Sequence, residues 1–427
     1  MEILVVGGGG REHALVWKLK QSPDCGVIWC APGNAGIRDL AEIVPIGVDA
    51  IDELVEFAQA KKIDLVVVGP EAPLANGLAD AMREKGIDVF GPGKLGAQIE
   101  GSKSFARNLM DKYGIPSPEF GTFTNPQDAK DFVQSLADKG KQCVIKADGL
   151  AAGKGAIVTN DVQEAGAAID LCMVEKAFGD AGAIVVVEER LRGPEISILA
   201  ITDGKHLAIL PPSQDHKPIG EGDTGPNTGG MGAYCPVPIV DDALLKEIRD
   251  TVLEPAIRGL EAEGAPYSGV LYAGLMLCED KPYVIEFNCR FGDPETEAVL
   301  PAIDLDLLPL LVGAAKGDIG EDQVIPASQY ALCVIIASAG YPGAYKKGLT
   351  IKGMDGIEKA MDQRAIAFHA GTKLDGDNVV TSGGRVLGVT GLGEDFDDAY
   401  DNAYEAVQRI QFDQAYYRKD IGYRVRS

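Results

Sequence analysis

Apolar residues in the first hundred positions alternate between two patterns. Short, predominantly apolar runs, at 3–6, 27–30, 63–68 and 87–90, are separated by segments whose apolar residues recur at helical spacing. Ala14, Leu15 and Leu19 share one helical face, and Leu54, Val55 and Ala58 another. Predominantly apolar strands between amphipathic helices predict a doubly wound parallel sheet covered on both faces. Ser102 then opens a helix carrying Phe105, Leu109 and Tyr113, closed by Gly114-Ile115-Pro116. A compact unit follows: helix 126–138, strand 143–146, a glycine-rich loop, strand 156–158, helix 161–177 and strand 183–188. It reads as a small lid set into a larger strand-rich region with a long helix near 241–263. Strands at 330–338, 365–370 and 385–390 precede a last helix striped with Phe396, Tyr400, Ala403, Val407 and Ile410. The expected architecture is multidomain, α/β and α+β: an N-terminal doubly wound domain (1–101), a central domain (102–325, lid about 121–192) and a C-terminal mixed-sheet domain (326–427).

Length agrees with that division, since 427 residues suffice for about three domains. Hydrophobic residues at 46% and charged residues at 24% can fill several cores, which excludes extended disorder. The 53 glycines are roughly 12% of the chain against a usual ~7%, and their clustering in loops points to close backbone–ligand approach. A net charge of −24 repels nucleic acid and anionic membrane, yet leaves room for a small anion in a local pocket. The eight cysteines show no metal-ligand spacing, and several lie in apolar runs. Buried thiols and a reducing cytoplasm are expected. No apolar run nears the ~20 residues that span a bilayer.

The sharpest chemical signal is VIEFNCRFGDPETE (284–297). On a strand, alternation puts Glu286, Asn288 and Arg290 on one face and Phe287, Cys289 and Phe291 on the other. Glu286 and Asn288 supply the hard oxygens that suit Mg²⁺ with phosphate ligands. Arg290 beside them can hold either a transferring phosphoryl group or a substrate carboxylate. A merely solvated polar face is the bland alternative, and Asn in a strand argues against it. In VIKADGLAAGKGAIV (144–158), Lys146 ends a strand before a loop with Gly149, Gly153 and Lys154, a cradle for nucleotide phosphates. Lys103 adds a cation. The backbone of Glu189 to Leu191, after the strand ending in Glu188, is placed to read adenine, and Glu195 to accept from ribose hydroxyls. The glycine-rich stretch 213–234 cannot build core on this reading and is expected to be a functional loop carrying Asp215, His216 and Lys217, with His216 either a ligand or general base or a histidine of purely structural use. Gly8, Gly9 and Gly10 open a helix where a monophosphate is expected, although the third glycine of a dinucleotide fingerprint is replaced by His13. Glu71 lies at the same sheet edge and is offered to sugar hydroxyls.

In their order, Lys103, Lys146, the glycine loop, Glu188 to Leu191 and Glu286-x-Asn288-x-Arg290 resemble the ATP-grasp superfamily. The blocks VVGGGGREHAL, APGNAG, GPEAPL, EGSKSFA, KADGLAAGKG, SQDHK, GDTGPNTGGMGAY, LYAGLM, IEFNCRFGDPETE, FHAGT, GGRVL and YRKDIG resemble its phosphoribosylamine–glycine ligase family, from residue 3 to about 423. The resemblance implies a central ATP-grasp domain with an inserted lid. It also implies ATP-dependent joining of glycine to 5-phosphoribosylamine through a glycyl phosphate, in de novo purine biosynthesis. Mg²⁺ or Mn²⁺ would sit on Glu286 and Asn288. ATP would be held by Lys103, Lys146, Gly153, Lys154, Glu188, Glu189, Leu191 and Glu195. Arg290, Asp293, Asp215 and Lys217 would face glycine and the ribose phosphate, with Gly8, Gly9, Gly10, Glu71, Asn227 and Gly229 completing the substrate site. A cytoplasmic monomer is expected. Two departures stand out: LYAGLM carries no second metal carboxylate, and Pro218 follows Asp-His-Lys where the family usually has Arg.

Overall fold

Strand Ile3–Gly7 is buried at every position, which fits the centre of a sheet covered on both faces. It pairs in parallel with Ile28–Pro32 and Leu65–Val68, and Glu42–Ile43 and Asp88–Phe90 extend the two edges. The result is the expected doubly wound sheet, with one short edge strand that no apolar run announced. The structure is a computed structural model and describes residues 1–149, 155–354 and 356–426. The strand order reverses beside Ile3–Gly7, so the loops after it and after Leu65–Val68 flank the crevice where such sheets bind ligands.

The central sheet runs Lys281–Asn288, Gly269–Cys278, Glu195–Thr202, Leu207–Ile209 and Gln323–Val324, antiparallel except at the last pair. Its edge carries a bulge: Gly274 faces Glu286 while Leu275 faces Val284, so Ile285 is passed over. A bulged residue leaves the ladder, and the Ile285 carbonyl is thereby turned to other donors. The long helix near 241–263 is interrupted by a wide turn at Arg249–Leu253, where the Glu254 N–H reaches back to the Arg249 carbonyl. Pro255 follows and brings no N–H of its own.

A separate antiparallel sheet, Phe120–Phe123, Val185–Glu189, Cys143–Ala147 and Ala156–Val158, carries helices Pro126–Asp138 and Val162–Met173 over one apolar cluster. Asn125 and Asp161 cap those helices through their side chains. The last large sheet combines Gln214–Asp215 and Gly232–Cys235 with Tyr330–Ala337, Arg385–Gly393 and Ala365–His369. This corrects the expectation that 213–234 cannot build core. Ser213, Gln214, His216, Met231 and Tyr234 are buried, and only the hairpin Pro218–Gly220/Thr224–Asn227 projects. His216 is accordingly a core residue that accepts from the Gly422 N–H at 3.1 Å, and it does not line the cleft described below. All eight cysteines are unpaired and six are buried. No single helix among the described residues is long and apolar enough to cross a membrane.

The first and last sheets meet at an imidazole pair. His13 Nδ1 accepts from the His369 N–H at 2.8 Å, and Asn34 Nδ2 donates to the His369 carbonyl at 2.7 Å. Burial and the neighbouring His369 pull His13 down to about 3, and burial takes His369 down to about 4. Both stay neutral in the fold while their unfolded counterparts protonate near 6.5. Stability from this junction is therefore present above pH 6.5 and lost as pH falls. We expect the unfolding free energy between pH 6 and 4.5 to be less steep in His13→Asn, by up to about 1.4 kcal/mol per pH unit. Urea melts at several pH values test this, and an unchanged slope would contradict it.

Candidate active site

Strand Lys281–Asn288 turns Glu286 and Asn288 into a cleft of about 610 Å³. The strand ends at Asn288, so Arg290 lies in the following bend and not on the strand as expected. It lines the same cleft nonetheless. The lid contributes Lys146, Glu188, Glu189 and Leu191. Lys103 comes from the first turn of helix Lys103–Tyr113, and Glu71 from the short helix Glu71–Ala75 that follows strand Leu65–Val68. Glu195, Asp215, Lys217, Asn227, Gly229 and Asp293 complete the predicted residues that meet there. Gly153 and Lys154 lie outside the described residues.

Gly8, Gly9 and Gly10 do not line the cleft. The expected open anion site is filled from within: Glu12 Oε2 accepts from the Gly8 and Gly9 N–H groups at 3.1 and 2.6 Å. A Cβ at Gly69 would sit 2.0 Å from Glu12 Oε1, so this glycine makes room for a side chain of the protein itself. Gly10 lies against Glu297, whose Oε1 would be 2.3 Å from a Cβ there. Its own Glu at the third position satisfies the Gly8 and Gly9 amides of this helix N-terminus.

Charge pairing organises the rest. Glu188 accepts both arms of Arg107, at 2.6 and 2.7 Å, and Lys146 at 2.8 Å. Arg107 and Lys146 also donate to the bulged Ile285 carbonyl, at 2.6 and 2.9 Å. Burial pulls the Lys146 ammonium down and Glu188 opposes it. Burial raises the Glu188 carboxyl, but Arg107 and Lys146 outweigh it and hold it low. Lys217 lies 3.4 Å from Glu195 and 3.7 Å from Glu286. Burial works against ionisation of Glu286, yet Lys217, Lys103 and Lys146 take its carboxyl down to about 2. Arg290 is gripped by Glu100 at 3.0 Å and Glu71 at 3.5 Å. Asp215 is the opposite case: burial and Glu295 push its carboxyl well above the ordinary range. Lys103 has no side-chain partner among the described residues. Leu191 likewise has an unbonded backbone amide there, whereas the Glu189 N–H is taken by Glu119.

Glu286 and Asn288 suit a divalent cation: an ionised carboxylate and an amide oxygen two residues apart, beside a lysine ammonium that already finds the position attractive. Among the described residues no cluster of three His, Cys, Asp or Glu side chains is assembled for a metal. Two protein oxygens plus phosphate oxygens is a Mg²⁺-like donor set. Arg107, Glu100, Glu295 and Arg385 escaped the sequence reading. Arg107 occupies a polar slot in an amphipathic helix, which carries no signal, whereas Arg385 stands in the GGRVL block and was quotable without a role.

A lid sheet closing over a core strand that presents a carboxylate and an amide oxygen, with lysines from both sides, is the ATP-grasp arrangement. Residues 101–296 match the phosphoribosylglycinamide synthetase ATP-grasp (A) domain, 1–100 its N domain and 331–424 its C domain. The chain belongs to the phosphoribosylglycinamide synthetase family. A phosphoribosylamine–glycine ligase from Nostoc sp. is 49% identical over 432 residues, covering all of both chains. The crystal structure of the Thermotoga maritima phosphoribosylamine–glycine ligase superposes with a TM-score of 0.85 at 31% identity, over 99% of this chain and 100% of that one. A biotin carboxylase–βγ-ATP complex from Campylobacter jejuni shares the fold, with a TM-score of 0.73 at 15% identity over 97% of this chain and 92% of that one.

Arg107 sets the lid strand against the core, so its loss should be felt in stability first. Arg107→Met removes one partner of a buried pair and is expected to cost about 3–5 kcal/mol. Equilibrium urea unfolding checks this, and a change below about 1 kcal/mol would reduce the pair to a surface contact in energetic terms.

Proposed function

We propose that this protein joins glycine to 5-phosphoribosylamine at the expense of ATP, giving glycinamide ribonucleotide, ADP and phosphate in de novo purine biosynthesis. The observation that carries the reading is the convergence of Glu286, Asn288 and Arg290 with Lys146 and the lid on one cleft. Glu286 and Asn288 would hold Mg²⁺ or Mn²⁺, which when bound offsets the phosphate charge. Lys103 and Lys146 neutralise phosphate oxygens, joined by the loop with Gly153 and Lys154. The Leu191 backbone meets the adenine edge beside Glu188 and Glu189, and Glu195 meets the ribose.

A glycine carboxylate oxygen attacks the γ-phosphorus and ADP leaves. The ribosylamine nitrogen then attacks the acyl carbon, loses a proton and expels phosphate. Arg290 steadies the glycine carboxylate, while Asp215 and Asp293 face the amino groups. Lys217, between Glu195 and Glu286, keeps two carboxylates close without mutual repulsion. Glu71, Asn227 and Gly229 border the ribose-phosphate side. A closed lid excludes water from the acyl phosphate. The reading divides the chain at 1–101, 102–325 with its lid near 121–192, and 326–427, acting as a cytoplasmic monomer. Its charge of −24 supports small substrates over nucleic acid or an anionic membrane.

ADP release from the purified protein should require both glycine and phosphoribosylamine, and release independent of either would reject the ligase. Glu286→Ala should lower kcat by roughly 10³-fold with an unchanged thermal melt. Near-normal turnover of that variant removes Glu286 from the mechanism.

A further inference from the structure

Arg385 is the one cleft-lining side chain, among the described residues, that comes from beyond residue 325. It opens strand Arg385–Gly393. Its Nη1 donates to the Gly229 carbonyl at 2.7 Å and to the Asp293 carbonyl at 2.8 Å, and its Nη2 pairs with Asp293 Oδ1 at 3.0 Å. One guanidinium thus ties three segments remote in sequence. Gly229 permits this, because a Cβ there would sit 3.0 Å from Arg385 Cζ. Tyr341 Oη accepts from the Gly229 N–H at 3.1 Å, a second C-terminal contact on the same residue. The other oxygen of Asp293, Oδ2, lies 3.6 Å from the Cβ position of Gly9. Asp293 therefore spans from a C-terminal cation to the N-terminal loop.

That placement needs holding. Glu297 is fully buried, and neither of its carboxylate oxygens has a partner. After burial, Asp293 is the main influence raising its carboxyl, and Arg385 opposes it. Arg385, paired with Asp293 Oδ1, is the cation that holds the Asp293 carboxylate beside this buried group. Among the described residues, the hydrogen-bond and ion-pair partners of Arg385 lie outside the lid, to which the ligase reading assigns the nucleotide.

We propose that Arg385 is a positioning residue for the acceptor half of the site: it fixes Asp293 and the Gly229 carbonyl so that the ribosylamine nitrogen meets the open face of the acyl carbonyl. The inference rests on the ligase reading above. It makes the C-terminal domain a contributor to the second substrate and a bystander to ATP.

Steady-state kinetics of Arg385→Gln, Arg385→Lys and Gly229→Ala test it, with thermal melts to confirm folding. Arg385→Gln should lower kcat/KM for phosphoribosylamine by about 10²-fold while KM for ATP moves less than about threefold. Arg385→Lys should recover part of the loss, and Gly229→Ala, which displaces the guanidinium, should reproduce the selective defect. An unchanged kcat/KM for phosphoribosylamine, or a KM for ATP that rises in parallel, overturns the proposal. If Arg385→Gln does not fold, the same two constants in Gly229→Ala decide. A parent protein without glycine-dependent ligation would instead sink the ligase reading.

Discussion

The buried Glu188 carboxylate is the interaction on which the working architecture turns. It lies on a lid strand, yet its partners Arg107 and Lys146 also grip the backbone of the core strand that carries Glu286. Isolated charges at that depth would be prohibitively costly, and the pairing is tolerable because every arm is met by an oxygen. The bulge at Ile285 makes this possible by releasing a carbonyl from the ladder toward both cations. Lid, core strand and helix Lys103–Tyr113 are thereby registered to one another across a single polar knot.

From that knot outward, the cleft is a lattice of opposite charges with few idle members. Lys217 sits between two carboxylates, and so does Arg290. Such pairing lets a protein of charge −24 present cations to phosphates locally, because short-range partners dominate over the screened net charge. Lys103 has no side-chain partner among the described residues, which leaves its ammonium for an incoming anion. The acidic residues Asp215 and Glu297 are less well compensated, and burial raises both.

The glycine-rich N-terminal loop shows how an anion-site motif can also serve internal packing. Its form matches a helix-terminal anion site, but Glu12, only two residues beyond Gly10, occupies the amides. Gly69, from a neighbouring loop, supplies the room for that carboxylate. Conformational freedom in glycine serves internal packing as readily as ligand approach.

Local patterning accounts for the parallel N-terminal sheet, the lid unit, the last helix and the shared face of Glu286 and Asn288, because period-two and period-3.6 patterns are local properties. The meeting of that pair with Lys146 and Lys217 was implied by the family resemblance alone. Tertiary structure decided the rest. Strand 214–215 pairs with 232–235, which in turn joins a strand about a hundred residues later, and such pairing leaves no local trace in a glycine-rich stretch. Arg107 and Arg385 became significant only when distant oxygens were brought to them. Whether a charged side chain is solvated, paired or poised depends on its neighbours in space, and the chain order does not specify those.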